Sequence, residues 1–184
     1  VYDYYSKKNT EESFAEYFKV KKTLMEKVDN VKGWDANAIK ELTTEIEVVK
    51  RVIQKYSRSQ AAALGWFELG ELYFRAKEFD QAISHYRQSI DHGSNELIKL
   101  QATMGVAYAS EAKRDYAEAV EMMKKAIELD KNKYFKADNL LTLALFYEKM
   151  ENNEEAKKTY REILRDFPKT PEATKSERFI KQLQ

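Results

Sequence analysis

The sequence predicts an all-α chain built of antiparallel helix pairs, and three observations carry that expectation. Apolar residues recur at helical spacing along nearly the whole length. Gly and Pro are scarce, 5 and 2 in 184 residues. No alternating run of β-branched residues lies between turn clusters, so strand signals are missing. Charged residues make up 34%, which suits exposed helix faces joined by short turns. A chain of this length can bury a substantial core as one domain, residues 1–184.

Net charge is +1, from 32 basic and 31 acidic residues. No global field draws such a chain to nucleic acid; clusters such as Lys19, Lys21 and Lys22 or Lys157 and Lys158 read as solvated helix faces. With no cysteine, disulfide and thiolate chemistry are excluded, a composition compatible with an oxidising compartment without requiring one. No run of 18 apolar residues exists to span a membrane. The first residue is Val1 rather than Met, so a signal peptide or membrane anchor upstream is expected.

The first element follows VYDYYSKKNTEESF, in which Tyr2, Tyr4 and Tyr5 precede a polar stretch. Thr10 and Ser13 suit helix initiation, with Glu11 and Glu12 near the positive end of the helix dipole. Phe14, Tyr17, Phe18, Leu24, Met25 and Val28 then form an apolar stripe. Residues 30–33 make a turn and Asp35 caps a second helix. Ile39, Leu42, Ile46, Val49, Ile53 and Tyr56 give that helix a narrow seam of 3 and 4 spacing. The seam reads as packing on the helix's own neighbours, with a homo-oligomer through Ile39, Leu42, Ile46, Val49 and Ile53 as the alternative. Residues 9–57 are thus a degenerate, elongated helix pair.

The pattern is clearest over residues 63–96. Trp66, Leu69, Gly70 and Tyr73 fall on one face of a helix, and Ala82, Tyr86 and Ser89 on one face of the next. Large side chains opposite small ones are what two interlocking helices require. Gly93 is placed to end the second helix in the left-handed conformation. A weaker copy over 98–131 aligns Met104, Gly105 and Tyr108 with Leu69, Gly70 and Tyr73, and Ala119, Met123 and Ala126 with Ala82, Tyr86 and Ser89. In this alignment the second copy carries two extra residues between its helices, and Gln101 replaces the Trp. A third copy over 137–170 has Leu140, Leu143, Ala144 and Tyr147, then Ala156, Tyr160 and Ile163, with Asn152 and Asn153 at the turn. Pro168 ends it, since Pro cannot continue a helix. Thr170 caps a last helix, 171–184, starting at Pro171; Ala173, Phe179, Ile180 and Leu183 form its apolar side, suited to covering the end of the array.

This spacing of Trp, Leu, Gly, Tyr, Ala, aromatic and small residues resembles the tetratricopeptide repeat, a 34-residue helix–turn–helix unit. The resemblance covers residues 63–170 closely and 9–57 loosely. It implies a right-handed superhelical stack of hairpins with terminal capping helices, and a concave groove that holds peptide or helix segments of partner proteins. By register the groove-lining residues are Leu64, Phe67, Glu71, Phe74 and Arg75, then Ala102, Val106 and Ala109, then Asp138, Leu141, Leu145, Glu148 and Lys149. Relatives that read a C-terminal carboxylate use Lys and Asn in the groove; here those places hold Phe67, Glu71, Thr103, Asp138 and Thr142, so that clamp is absent. Whether the groove is open or filled by the terminal helices stays undecided at this stage.

No catalytic pattern competes with this reading. His85 and His92 stand seven apart on one helix, not at the i and i+4 spacing of a helical metal site. There is no nucleophile elbow, P-loop or dinucleotide glycine pattern, and Gly65 and Gly70 read as packing glycines. Adjacent acidic pairs such as Glu154 and Glu155 point to different sides of a helix, and no calcium-loop array of Asp occurs. The expectation is a non-catalytic binding scaffold without cofactor or metal. The tyrosine-rich start, YDYY…SFAEYF, and two long helices ahead of Trp66 further resemble membrane-anchored bacterial envelope proteins of this repeat family, the group containing the ancillary periplasmic subunit of the Sec translocon. That implies a location on the periplasmic side of the inner membrane and a role as a translocon-associated chaperone or assembly helper, with Tyr2, Tyr4 and Tyr5 near the interface. A cytosolic adaptor or an oligomerising assembly subunit is the alternative.

Overall fold

The computed structural model describes residues 2–93 and 95–183, with side chains from Asn9 onward. Among the described residues all regular structure is helical: α1 (Tyr2–Val28), α2 (Ala36–Glu41), α3 (Thr43–Lys55), α4 (Gln60–Arg75), α5 (Phe79–His92), α6 (Glu96–Ala112), α7 (Tyr116–Leu129), α8 (Lys136–Lys149), α9 (Asn153–Asp166) and α10 (Pro171–Gln182). They fall into two compact units, 1–109 and 110–184.

In the first unit, α1 begins at Tyr2, eight residues before the expected start at Thr10. Ser13 is no cap: its hydroxyl donates to the Thr10 carbonyl inside the helix. The carboxylate of Asp35 does cap α2, accepting from the N–H groups of Asn37 and Ala38. The single second helix expected from the seam is broken at Leu42, whose φ and ψ are −94° and 0°. There the Thr43 hydroxyl donates to the Ile39 carbonyl, competing with the backbone for that acceptor.

The seam itself is interior. Leu42, Ile46, Val49 and Ile53 are each 1–2% exposed and form one core with Tyr17, Leu24, Trp66, Leu69 and Leu72, while Ile39 packs against it half-buried. Burying each such aliphatic side chain is worth roughly 1.5–3 kcal/mol. The partners of this face are α1 and α4 of the same chain, in line with the reading as packing on the helix's own neighbours, and the alternative of an oligomer through it finds no support. Gly65 permits the close approach: a Cβ there would stand 2.5 Å from the Ile53 Cγ2 and 2.9 Å from the Tyr17 ring.

The hairpin of α4 and α5 is locked by Tyr86, whose ring lies between Gly70 and Gly105. A Cβ at Gly70 would meet that ring at 2.5 Å, and one at Gly105 at 2.7 Å. Ser89 adds a buried hydrogen bond to the Ala63 carbonyl at 2.7 Å. Gly93 does not take the left-handed conformation; its φ is −82° and ψ 123°.

In the second unit, Ala119, Met123 and Ala126 of α7 are fully buried, as are Ala156, Tyr160 and Ile163 of α9. Asp115, Asn152 and Thr170 cap α7, α9 and α10 through their side chains. The α10 helix lies along α9, with Ala173 buried and the Phe179 ring 5.6 Å from that of Tyr160.

The turn inside each hairpin is the same. Lys77, Arg114 and Glu151 sit at φ of 62°, 65° and 58°, thirty-seven residues apart in both intervals. The next N–H reaches back five residues each time: Glu78 to Tyr73, Asp115 to Ser110, and Asn152 to Tyr147, all at 2.9 Å. The left-handed residue donates three back, to Phe74, Glu111 and Glu148. This is the Schellman closure, here without glycine. Counting back from it gives the register of each first helix. The buried face of α4 (Trp66, Leu69, Gly70, Tyr73) corresponds to Leu140, Leu143, Ala144 and Tyr147 of α8, and to Thr103, Val106, Ala107 and Ser110 of α6; all are buried. The second copy therefore carries no insertion, and its expected alignment was two residues out.

Candidate functional site

The turn register also defines the side of each first helix on which the expected groove residues fall. On α4 it carries Leu64, Phe67, Glu71, Phe74 and Arg75. Leu64 packs against the core of the first unit, and the Phe67 ring lies 5.9 Å from that of Tyr86. Phe74 meets Phe79 edge-on at 5.5 Å, and the Arg75 guanidinium lies 3.8 Å over the Trp34 ring.

Helix α1 runs beside this face. Tyr17 donates to one Glu68 carboxylate oxygen and Lys21 to the other. Between them opens a pocket of about 610 Å³, lined by Lys21, Met25 and Val28 of α1 and by Glu68, Glu71, Leu72, Phe74 and Arg75 of α4. It gathers Glu71, Phe74 and Arg75 from the expected set, while Leu64 and Phe67 stand outside it. Its α1 wall was absent from that set, although Met25 and Val28 already stood on the apolar stripe of that helix. The charges at its rim are spoken for: Lys21 by Glu68, Arg75 by Trp34, and Glu71 by the Tyr86 hydroxyl. Burial, with the Glu71 carboxylate beside it, pushes the Tyr86 hydroxyl far above the usual phenol range, so it remains a donor at any ordinary pH. What remains for a ligand is largely apolar wall.

On α6 the expected residues Ala102, Val106 and Ala109 have no exposed surface. This corrects the expectation: they stand at the register of Gly65, Leu69 and Leu72 on α4, which are buried too. The positions matching Leu64, Phe67, Glu71 and Phe74 are Gln101, Met104, Tyr108 and Glu111, each partly exposed. A Gly105 and Tyr108 pair that imitates Gly70 and Tyr73 misled the alignment.

In the second unit, Asp138 and Lys149 are exposed, Leu145 and Glu148 are half-buried, and Leu141 is 5% exposed and is therefore a packing residue. Glu148 accepts from the Tyr160 hydroxyl, repeating the Tyr86–Glu71 arrangement by a different register. Lys149 bonds to Glu111 and lies 5.9 Å over the Tyr116 ring.

Among the described residues no three His, Asp or Glu side chains converge on a metal-sized space, and no helix is long and apolar enough to cross a membrane. His85 is 6% exposed between the rings of Trp66 and Tyr73, and His92 lies two turns further along α5.

Comparison with known proteins agrees with this geometry. Two profiles, each described as a tetratricopeptide repeat, match residues 63–95 and 111–175. Among solved structures, the nearly identical TPR-like repeats of a Podosopora anserina protein named for the kinesin light chain align with a TM-score of 0.64 at 14% identity, covering 92% of this chain and 83% of that one. The crystal structure of MamA aligns with a TM-score of 0.51 at 18% identity, covering 74% and 77%. At such identities the likeness concerns the fold alone. No curated protein matches the chain.

Proposed function

Because this chain carries tetratricopeptide repeats at residues 63–95 and 111–175, a family whose domains generally mediate protein–protein interaction, we propose that it is a non-catalytic scaffold that holds an apolar peptide or helix segment of a partner protein. The observation that carries this reading is the pocket of about 610 Å³ between α1 and α4. Met25, Val28, Leu72 and Phe74 offer it apolar surface, while the charged groups at its rim already have partners within the chain. Such a pocket rewards a hydrophobic side chain more than a charged one.

The test is site-specific photocrosslinking from Val28 in cells that express the chain. A partner band from Val28, lost in the Met25→Glu, Phe74→Glu double variant with helicity unchanged by circular dichroism, is the expected result. An undiminished band in the double variant refutes the pocket. Substituting Val106 gives no such test, because it is fully buried and a charge there would unfold the helix.

A place on the periplasmic side of a bacterial inner membrane, aiding exported proteins, is the finer reading. It is supported by the cysteine-free composition and the aromatic start of the chain. Fractionation of the native protein tests it: recovery in carbonate-washed membranes, open to protease from the outer side only, is expected, and recovery in the cytosol discards it in favour of an adaptor inside the cell.

A further inference from the structure

We infer that the first unit holds a second binding site, a donor-lined pocket between α3 and α5 that takes an oxyanion, the carboxylate or phosphate group of a ligand. This pocket has a volume of about 390 Å³ and shares no residue with the one between α1 and α4. Helix α3 contributes Lys50 and Gln54 to its wall, the turn after α3 contributes Ser57, and α5 contributes Ser84, Gln88 and His92. Trp66 and His85 complete it.

Three features define the ligand. Every polar side chain in the wall can donate a hydrogen bond, and none is a carboxylate. Its one formal charge is the ammonium of Lys50, 5.8 Å from the Tyr73 ring centroid and 3.3 Å from Glu47, which lies outside the wall. An oxyanion, with acceptors only, is the complement of such a surface.

The third feature is His85. It is 6% exposed, stacked on Trp66 at 5.3 Å and tilted against Tyr73 at 4.9 Å, and neither ring nitrogen has a hydrogen-bond partner. A buried imidazole with both nitrogens unmet is costly unless something else is gained. An anion beside Lys50 supplies an acceptor for one ring nitrogen after a small ring movement. Protonation of the ring then gains a counter-charge. The groups around His85 are Lys50 and Glu47 on α3, His92 on its own helix, and the rings of Trp66 and Tyr73 on α4, so a bound anion would add to Glu47 in opposing the repulsion by Lys50.

The chain has two histidines, which makes the test direct. Inorganic phosphate and, separately, a hexaglutamate peptide are titrated into the full chain at pH 7 and constant ionic strength, following both imidazole Cε1–H resonances by NMR. Saturable shifts of both resonances are expected, weakened about tenfold or more by Ser84→Asp or Gln88→Glu, which add a negative charge at accessible positions, and by Lys50→Gln. Saturation by phosphate alone identifies a free anion as the ligand. At least tenfold tighter binding of the peptide identifies a carboxylate of an acidic protein segment. Linear, unsaturating shifts with both probes, or saturation unaltered in the variants that retain wild-type helicity, overturn the proposal.

Discussion

Acidification should destabilise the first unit through His85, by an amount that follows from its surroundings. The ring is enclosed by Trp66 and Tyr73, and burial, aided by the Lys50 ammonium and opposed by Glu47, lowers its pKa from 6.5 to about 4. The folded state therefore prefers the neutral ring, whereas the unfolded chain takes up a proton near pH 6.5. The resulting stabilisation is present in full above pH 6.5 and is lost as the pH falls toward 4. At about 1.4 kcal/mol per unit, the whole effect is about 3 kcal/mol, of which about 2 kcal/mol disappears between pH 7 and 5. For a protein of this size that corresponds to a fall in Tm of roughly 4–8 °C. Urea denaturation of the wild type and of His85→Phe and His85→Asn, followed by far-UV circular dichroism at pH 7, 6 and 5, measures it. Glu16, Glu45 and Asp166, whose pKa values are lowered by Lys55, Lys27 and Arg165, titrate at the acid end in all three proteins and cancel in the comparison. The variants should lose clearly less stability between pH 7 and 5 than the wild type. Equal losses in all three would refute the reasoning.

Other substitutions probe the packing. Gly70→Ala places a Cβ 2.5 Å from the Tyr86 ring and should cost about 1–3 kcal/mol in urea unfolding; a neutral result would mean that the ring moves freely. Replacing Arg114 or Glu151, both at positive φ, with Gly should raise stability by roughly 0.5–1 kcal/mol each, net of the greater freedom of Gly when unfolded; a lower urea midpoint would show that the side chains are needed. Ser89→Ala removes a buried hydroxyl and with it the side-chain hydrogen bond to the Ala63 carbonyl, an expected loss of about 1 kcal/mol.

The buried positions of the second helices were readable from sequence, although the expected left-handed end at Gly93 was not found. Ala82, Ala119 and Ala156, or Tyr86, Met123 and Tyr160, recur at a constant interval because each must fit the same slot, and each is buried. Helix α6 was not readable in the same way. Its Gly105 resembles the packing glycine of its own hairpin, yet it makes room for Tyr86 of the preceding one. The residues at its true packing positions, Thr103, Val106, Ala107 and Ser110, form no aromatic signature. The turn that would have fixed the register is closed by Arg114 at positive φ, a conformation that sequence announces only when glycine adopts it. The break at Leu42 was hidden for a related reason: the apolar seam passes through it unbroken, and only the Thr43 hydroxyl marks it. In the candidate site, Glu71, Phe74 and Arg75 were legible because their helix was. The α1 wall was not, because sequence periodicity shows that a face is apolar but not which neighbour it meets.

The Tyr86 ring has a bearing on where this chain can be cut. One side of it rests on Gly70 in its own hairpin and the other on Gly105 in the next. A fragment trimmed at the hairpin's edge, after Gly93, would keep both helices of the first repeat and still leave half of its keystone bare to water. The smallest autonomous piece of the first unit is thus set by a residue of the following repeat, and it reaches past Gly105. Repeats that look like interchangeable beads along the sequence are, at this joint, dovetailed: the stability of one is stored partly in its neighbour, and grafting either into another array would have to carry the tyrosine and both glycines together.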